Sequence, residues 1–212
     1  MPPLDLPPLY AILDPEQTKG RDGLFVLRQL LAGGAGIVQL RAKIMAPRDF
    51  LALAREARAL TRALGCKLIV NDRVDIALAC DADGVHLGQE DLPLGAARKL
   101  IAGKIIGIST HSVDQATDAE SGGADYIGFG PMFGTTTKET GYAARGVEML
   151  RQIREAVKIP IVAIGGIKEQ NLAQVWQNGA HSAAIISDIL GADDIAAKVR
   201  GILRLAQASQ QL

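Results

Sequence analysis

Eight short apolar runs recur along the chain, separated by longer stretches that mix apolar and polar residues. The runs are rich in Ile, Val, Leu and Ala, and they do not alternate strictly between apolar and polar positions. Such continuous apolarity is typical of strands that are covered on both faces, as in a parallel sheet. The eight predicted strands are residues 10–13, 37–40, 68–70, 84–87, 105–108, 126–129, 161–164 and 183–186.

The stretches between the runs carry the period of an amphipathic helix. Apolar residues fall on one face in three of them: Phe50, Leu53, Ala57, Leu60 and Leu64; Val147, Leu150, Ile153 and Val157; and Ile195, Val199, Ile202 and Ala206. Gly-Ala pairs at 34–35, 123–124 and 179–180 follow helical stretches. Glycine suits the position after a helix, because the backbone there often takes a left-handed conformation. The stretch 74–80 has room for only about two helical turns, so one helix is predicted to be short.

Eight strand–helix units in 212 residues favour an α/β fold, a closed (β/α)8 TIM barrel in a single domain. The alternative is an open doubly wound sheet. We expect a Pro-rich N-terminal extension at residues 1–8, the barrel at 9–208 and a C-terminal tail at 209–212. In either fold, ligands bind beyond the carboxyl ends of the strands, so the polar residues that follow each run are the candidates for function.

Composition narrows the classes of function. Lys+Arg and Asp+Glu both number 23, so the chain has no net charge with which to attract nucleic acid or an anionic membrane. No run approaches the roughly 18 apolar residues of a membrane span, and residues 1–8 lack the pattern of a signal peptide. Cys66 and Cys80 fit small buried residues better than a disulfide framework or a zinc site. We therefore expect a cytoplasmic protein with neither nucleic-acid nor membrane partners.

The second run ends in the pattern Gln39-x-Arg41-x-Lys43. A spacing of two places these three polar side chains on one side of extended backbone. An Arg fork and a Lys ammonium suit a diphosphate, because bidentate hydrogen bonds orient it while the positive charges neutralise it. The alternative is an ordinary solvated strand end.

Two carboxylates follow the next two runs, Asp72 after the third and Asp91 after the fourth. Neighbouring strands lie about 4.8 Å apart, so both carboxylates are expected at one rim, where they could share Mg²⁺. The alternative makes Asp72 a helix cap and Asp91 a turn residue. His86, in the fourth run, is either a contact to a phosphate or a pyrimidine ring, or a structural histidine.

Hydroxyls and glycines follow the later runs. One hydroxyl of residues 109–112 is expected to cap the next helix, and Ser109, the earliest, is a candidate for ligand contact. The long loop 131–146 is either a lid or an ordinary flexible loop. Gly165-Gly166 and Ile186-Ser187 end the seventh and eighth runs, where barrels often bind phosphate. The loop 131–146 also carries four donors for anionic oxygens, Thr135, Thr136, Thr137 and Lys138.

Taken in order, these segments resemble the thiamine-phosphate synthase family over essentially residues 9–190. The resemblance is carried by Gln39-x-Arg41-x-Lys43, Asn71-Asp72-Arg73, DGVHLGQED at 83–91, Thr135-x-Thr137-Lys138, residues 164–167 and Ile186-Ser187. It implies a (β/α)8 barrel that joins a pyrimidine methyl diphosphate to a thiazole phosphate, carboxylated or not, to give thiamine monophosphate and diphosphate. The chain departs from the family at Gly134, where Phe-Pro-Thr is often found in place of Phe-Gly-Thr.

The resemblance also implies roles for individual residues in a Mg²⁺-dependent transferase. Asp72 and Asp91 would bind the metal. The pyrimidine diphosphate would contact Gln39, Arg41, Lys43, Asn71, Ser109 and Lys138, of which Arg41, Lys43, Ser109 and Lys138 are the expected catalytic residues. The thiazole phosphate would contact Thr135, Thr136, Thr137, Gly166, Ile186 and Ser187. Tyr126, His111, Trp176 and His181 are expected to serve packing, capping or solvent exposure only.

Two other functions stay open from the sequence. A thiazole tautomerase on the same scaffold would move a proton within a thiazole carboxylate phosphate, and it would need no diphosphate clamp. A non-catalytic module that binds thiamine precursors would keep the site without turnover. The small-molecule partners are the same in kind, and the chain is compatible with a homo-oligomer.

Overall fold

The eight apolar runs form a closed barrel of parallel strands. The computed structural model describes residues 4–134 and 143–209. The strands are β1 (Leu9–Leu13), β2 (Ile37–Leu40), β3 (Lys67–Asn71), β4 (Gly84–Leu87), β5 (Ile105–Thr110), β6 (Tyr126–Phe129), β7 (Ile161–Ile164) and β8 (Ser182–Ile185). Each strand pairs in parallel with the next, and β8 closes the barrel on β1 through pairs such as Tyr10 with Ala184. The predicted (β/α)8 barrel is confirmed, and the open sheet is excluded.

Helices alternate with the strands and cover the outside of the barrel. They are α1 (Gly23–Ala32), α2 (Pro47–Ala63), α3 (Val74–Ala79), α4 (Leu94–Leu100), α5 (Val113–Ser121), α6 (Gly146–Ala156), α7 (Leu172–Gln177), α8 (Ser187–Leu190) and α9 (Ile195–Ser209). The predicted short helix is confirmed by the six residues of α3. Within the described residues, none of the helices is long and apolar enough to cross a membrane.

Glycine ends three of the helical stretches as predicted. Gly34, Gly123 and Gly179 have φ angles of 97°, 86° and 106°, in the left-handed region. A side chain disfavours that region, so these positions turn the chain from helix to strand at little cost. The boundaries predicted at residues 8/9 and 208/209 stay predictions.

Two apolar layers pack on the two faces of the strands. Alternate strand residues, such as Leu9, Ala11 and Leu13 of β1, point outward and pack under the helices. The others, such as Tyr10 and Ile12, point into the barrel. Leu6 belongs to this inner cluster and precedes β1, so the N-terminal segment closes the amino end of the barrel and leaves the carboxyl end for ligands.

Both cysteines are buried and unpaired, as predicted. Burial raises the pKa of the Cys66 thiol to about 12, so the group is a neutral thiol at physiological pH. Burial also raises the pKa of Cys80. Neutral buried thiols are poor nucleophiles and poor metal ligands, so neither cysteine contributes to a site.

Candidate active site

A pocket of about 590 Å³ opens at the carboxyl ends of the strands. All eight strands or the loops after them contribute to its wall, and its volume lies in the range of small-molecule sites. Four of the predicted pyrimidine diphosphate contacts line it, namely Gln39, Arg41, Asn71 and Ser109. Gly166, Ile186 and Ser187, the predicted thiazole phosphate contacts that are described, line the opposite side. Thr135, Thr136, Thr137 and Lys138 lie outside the described residues.

A chain of hydrogen bonds crosses the pocket from β2 to β5. Gln39 Nε2 donates to the Tyr10 hydroxyl at 3.1 Å, and the Tyr10 and Tyr126 hydroxyls bond to each other at 2.7 Å. His86 continues the chain, with Nδ1 3.0 Å from the Tyr126 hydroxyl and Nε2 2.9 Å from Ser109 Oγ. Burial raises the pKa of both tyrosines, so they remain neutral hydroxyls that can each donate and accept. The chain therefore fixes Gln39 and Ser109 toward the pocket.

Two glycines inside strands make room for this chain. A Cβ on Gly107 would lie 2.0 Å from Tyr126 Cζ, and a Cβ on Gly128 would lie 2.9 Å from His86 Cε1. Glycine within a strand often marks such a close approach. The expectation that Tyr126 only packs is too narrow, because its hydroxyl joins Tyr10 to His86. The glycines in the fifth and sixth runs are the sequence signal that could have indicated it.

Arg41 lines the pocket and forms an ion pair with Asp14, a residue for which the sequence suggested no role. The Asp14 side chain is 1% exposed and follows β1 directly. Its second oxygen, Oδ1, accepts a hydrogen bond from the Glu16 backbone N–H at 3.0 Å. Glu16 in turn accepts from the Ile44 N–H at 3.1 Å. The loop after β1 thus holds the loop after β2 at two points.

Lys43, Asp72 and Asp91 meet after the carboxyl ends of β2, β3 and β4, at the rim of the pocket rather than in its wall. Lys43 forms an ion pair with Asp72. Burial raises the pKa of Asp91, and the neighbouring Asp72 carboxylate adds to the rise, whereas a hydrogen bond from the Gly88 N–H opposes it. The structure therefore brings together the two carboxylates that the sequence predicts as metal ligands.

The backbone at Asp72 is held in a strained conformation. Its φ is 61°, in the left-handed region, and its N–H donates to the His86 carbonyl at 2.8 Å. The cap of α3 is Arg73, without a side-chain hydrogen bond, so the alternative role of Asp72 as a helix cap is wrong. Asp91 does fulfil the turn role, since Oδ2 accepts from the Gly88 N–H at 2.7 Å. Strain of this kind in a non-glycine residue is typical of functional sites.

The described residues contain no group of three or more His, Cys, Asp or Glu that could hold a metal ion by themselves. Two adjacent carboxylates nevertheless suit Mg²⁺, which is commonly held by one or two carboxylates together with substrate phosphate oxygens and water. The arrangement of Asp72 and Asp91 fits that donor set.

After β5, the structure separates the two roles expected of the hydroxyls. Ser112 caps α5, as predicted for one hydroxyl of this loop, by accepting from the Gln115 N–H at 3.2 Å. Ser109 lines the pocket, and its contact with a ligand stays a prediction. His111 also lines the pocket, with Nδ1 donating to the Gly130 carbonyl at 2.6 Å. Trp176 Nε1 donates to the Pro8 carbonyl at 3.1 Å, away from the pocket, in agreement with a packing role.

Gly165 and Gly166 have φ angles of 97° and 64°. A Cβ on Gly165 would lie 2.7 Å from Pro131 Cα, and one on Gly166 would lie 2.6 Å from the Gly134 carbonyl oxygen. The pair is therefore required for packing against residues 131–134 as well as for a close approach to a ligand. The base of the loop 131–146 is closed by bonds from the Arg145 N–H to the Pro131 carbonyl and from the Gly146 N–H to the Met132 carbonyl, at 2.8 and 3.1 Å.

Comparison with known proteins identifies the family of this chain. A family model described as thiamine monophosphate synthase matches residues 9–189. The thiamine-phosphate synthase of Chloroflexus aurantiacus is 46% identical over 203 residues, which cover 96% of this chain and 94% of that protein. The chain belongs to the thiamine-phosphate synthase family. Another member, from Moorella thermoacetica, is 49% identical over 193 residues, covering 91% of this chain and 92% of its own length.

A solved structure in the thiamine-phosphate synthase family has the same fold. The thiamine phosphate pyrophosphorylase from Pyrococcus furiosus superposes with a TM-score of 0.88 at 38% identity, covering 95% of this chain and 96% of that one. The family resemblance suggested by the sequence motifs is therefore confirmed.

Proposed function

We propose that this chain is a Mg²⁺-dependent transferase that makes thiamine monophosphate from 4-amino-2-methyl-5-(diphosphooxymethyl)pyrimidine and a thiazole phosphate. The observation that carries the proposal is the meeting of Arg41, Asn71 and Ser109 in one pocket, with the Lys43–Asp72 ion pair and Asp91 at its rim. Cations and carboxylates concentrated at one mouth suit a reaction that expels an inorganic diphosphate.

The reaction needs no nucleophile from the protein. The bond between the pyrimidine methylene carbon and the diphosphate oxygen breaks, and its electron pair leaves with diphosphate. The electron-rich aminopyrimidine spreads the resulting positive charge. The thiazole nitrogen then donates its lone pair to the methylene carbon and forms the new carbon–nitrogen bond, so charge and atoms balance.

Residues on the β2–β4 side would stabilise the departing diphosphate. The Arg41 guanidinium offers paired N–H donors, and Lys43 lies at the rim where it can exchange Asp72 for a diphosphate oxygen. Lys138 is proposed as a further cation by family resemblance. Asp72 and Asp91 would hold Mg²⁺, which when bound offsets negative charge on the leaving group.

Residues that touch the ring would orient the pyrimidine. Gln39, Ser109 and Asn71 line the pocket with amide and hydroxyl groups, and the hydrogen-bonded chain through Tyr10, Tyr126 and His86 holds the first two. A fixed methylene facing a bound thiazole makes the capture step effectively intramolecular, which can be worth several powers of ten in rate. Thr135, Thr136, Thr137, Gly166, Ile186 and Ser187 are the proposed contacts of the thiazole phosphate.

The direct experiment incubates the purified protein with both substrates, with and without Mg²⁺, and measures thiamine phosphate and diphosphate together. Equal release of the two products, dependent on the metal, is expected. Isomerisation of a thiazole carboxylate phosphate without diphosphate release would favour the tautomerase, and binding without turnover would favour a non-catalytic module.

Buried free thiols suit a reducing compartment, which supports the cytoplasm as the place of action.

The metal assignment has its own test in Asp72→Asn. Asparagine tolerates the left-handed backbone at this position, so the variant should fold. The Mg²⁺ concentration needed for half-maximal turnover should rise by about tenfold or more. The matched control is Asp75→Asn. Asp75 lies three residues after Asp72, and its exposed carboxylate pairs with Arg73. An unchanged magnesium dependence in folded Asp72→Asn would remove Asp72 from the metal site.

A further inference from the structure

We propose that Lys168 is the cation that binds the phosphate of the thiazole substrate. The inference rests on the proposed function, because it assigns a new contact within the same pocket. Lys168 follows the Gly165-Gly166 pair and lines the pocket with them and with Ser187. The residues predicted for this phosphate supply hydroxyl and backbone donors but no positive charge.

Lys168 has no ion-pair partner among residues 4–134 and 143–209. The described pocket wall carries two Lys or Arg side chains, Arg41 and Lys168. Arg41 is paired with Asp14, whereas Lys168 is an exposed residue of the pocket wall without such a pair among the described residues. A positive charge in a pocket wall that no carboxylate of the protein offsets attracts anionic ligands.

Two acidic residues close to Lys168, Glu169 and Asp188, are paired with a different lysine. Lys198, on α9, pairs with Glu169 at 2.7 Å and with Asp188 at 3.0 Å. Asp188 also accepts from the Glu169 N–H at 3.1 Å, which ties the loop after β7 to α8. Lys198 therefore offsets part of this negative charge and lowers the repulsion that the two carboxylates would exert on a phosphate.

The position of Lys168 in the barrel would hold the thiazole phosphate apart from the diphosphate of the other substrate. Asp72, Asp91 and Lys43 follow β2 to β4, whereas Lys168 follows β7, which lies opposite β3 in a closed barrel of eight strands. A diphosphate held on the first side and a phosphate held on the second are kept apart across the mouth. The thiazole ring between them then faces the pyrimidine methylene.

The test compares Lys168→Met with Lys168→Arg in steady-state kinetics. For Lys168→Met, the KM for the thiazole phosphate should rise about three- to tenfold, because one exposed charge–phosphate contact is lost. The KM for the pyrimidine diphosphate should stay within about twofold of wild type. Lys168→Arg keeps the charge and should keep the KM, which separates charge from side-chain shape.

The matched control is Lys158→Met, which removes an exposed lysine that precedes β7 at the amino end of the barrel. It should leave both KM values unchanged. Added salt should raise the wild-type KM for the thiazole phosphate and affect Lys168→Met less, since screening acts on the contact that the variant lacks. A KM for the thiazole phosphate within twofold of wild type in Lys168→Met, or an equal rise for both substrates, would overturn the assignment.

Calorimetric titration with the thiazole phosphate, in the presence of Mg²⁺ and inorganic diphosphate, separates this inference from the proposed function. Weaker binding to Lys168→Met than to wild type would support the phosphate contact even if no thiamine phosphate were formed. Equal binding to both proteins would contradict the contact even if the wild-type protein were an active synthase.

Discussion

The buried carboxylate of Asp14 forms an ion pair with the guanidinium of Arg41, and this ion pair orients an arginine that lines the pocket. Asp14 is 1% exposed and Arg41 18% exposed, and the backbone N–H of Arg41 also donates to the Leu13 carbonyl at 2.9 Å. A partly buried ion pair with its remaining oxygen satisfied fixes the orientation of a guanidinium well. Asp14 is therefore a positioning residue for the proposed diphosphate site.

Asp14→Asn should reduce kcat/KM by about tenfold, because small misplacements of a catalytic group cost large factors in rate. The loss should lie mainly in kcat, since the positive charge that attracts the diphosphate remains. Steady-state kinetics with both substrates provide the measurement. An unchanged kcat/KM in the folded variant would contradict the positioning role.

Asp83→Asn provides the matched control for Asp14→Asn. It breaks the Arg58–Asp83 ion pair, 2.7 Å long, at the amino end of β4 and so removes an aspartate–arginine contact far from the pocket. The Asp83 carboxylate also accepts from the Leu68 N–H at 2.7 Å. The control should lower the free energy of unfolding by about 1–3 kcal/mol and leave kcat/KM unchanged.

Tyr126→Phe tests the hydrogen-bonded chain across the pocket. The change removes the hydroxyl between Tyr10 and His86 and leaves His86 Nδ1 without that bond. The free energy of unfolding should fall by about 1–3 kcal/mol, the usual cost of an unsatisfied buried polar group. The kcat/KM for the pyrimidine diphosphate should also fall, because His86 then holds Ser109 less firmly.

Tyr10→Phe separates stability from activity in the same chain. It removes a buried hydroxyl as well and releases Gln39 from its bond to Tyr10, but it keeps the bonds from Tyr126 to His86 and from His86 to Ser109. Chemical denaturation should show similar losses for both variants, and kinetics should show the larger loss for Tyr126→Phe. Equal losses of kcat/KM in the two variants would contradict the proposal that the bonds from His86 to Tyr126 and Ser109 matter most for activity.

The sequence predicts the barrel well because its signals are local. Each apolar run becomes a strand, and strands end where polar residues begin, so Arg41, Asp72 and Ser109 could be assigned to one rim without knowledge of contacts. Asp14 and Tyr126 could not be found in this way. Their partners lie 27 and 116 residues away along the chain, and only closure of the barrel brings them together.

The conformation of single residues is also beyond such reasoning. Asp72 directly follows a β-rich run and its N–H still bonds to the β4 carbonyl of His86, yet its φ is positive. The sequence predicts Gly165 and Gly166 near a bound phosphate, but it does not show that the segment 131–134 packs against both. Tertiary packing determines these conformations, and local residue preferences carry no information about that packing.

Gly166→Ala should strongly impair use of the thiazole phosphate. A Cβ there would meet the Gly134 carbonyl oxygen at 2.6 Å and Phe133 Cβ at 2.8 Å, and the φ of 64° is strained for alanine. The loop must shift, and the KM for the thiazole phosphate should rise. Gly134→Ala is the control, since a Cβ at Gly134 meets nothing within 4 Å. Similar KM values in both variants would argue against a rigid Gly166.

The ring of His181 predicts a pH dependence of stability that is unrelated to the active site. Partial burial lowers the pKa of His181 from its ordinary 6.5, and the charge of Arg154 adds to this effect. The neutral ring is required because Nδ1 accepts a hydrogen bond from the Ile161 N–H, at 3.1 Å, where β7 begins. Protonation of Nδ1 would break that bond.

The sign of the effect follows from proton linkage. Below pH 6.5 the unfolded chain takes up a proton at His181 that the folded chain resists, so the stabilisation present above 6.5 is lost as pH falls through the lowered pKa of the folded state. His181→Asn offers an oxygen acceptor to Ile161 and does not titrate. Urea unfolding at several pH values between about 5 and 7 should therefore give a smaller slope for the variant than for wild type. Equal slopes in the two proteins would show that His181 does not bind its proton more weakly in the folded state.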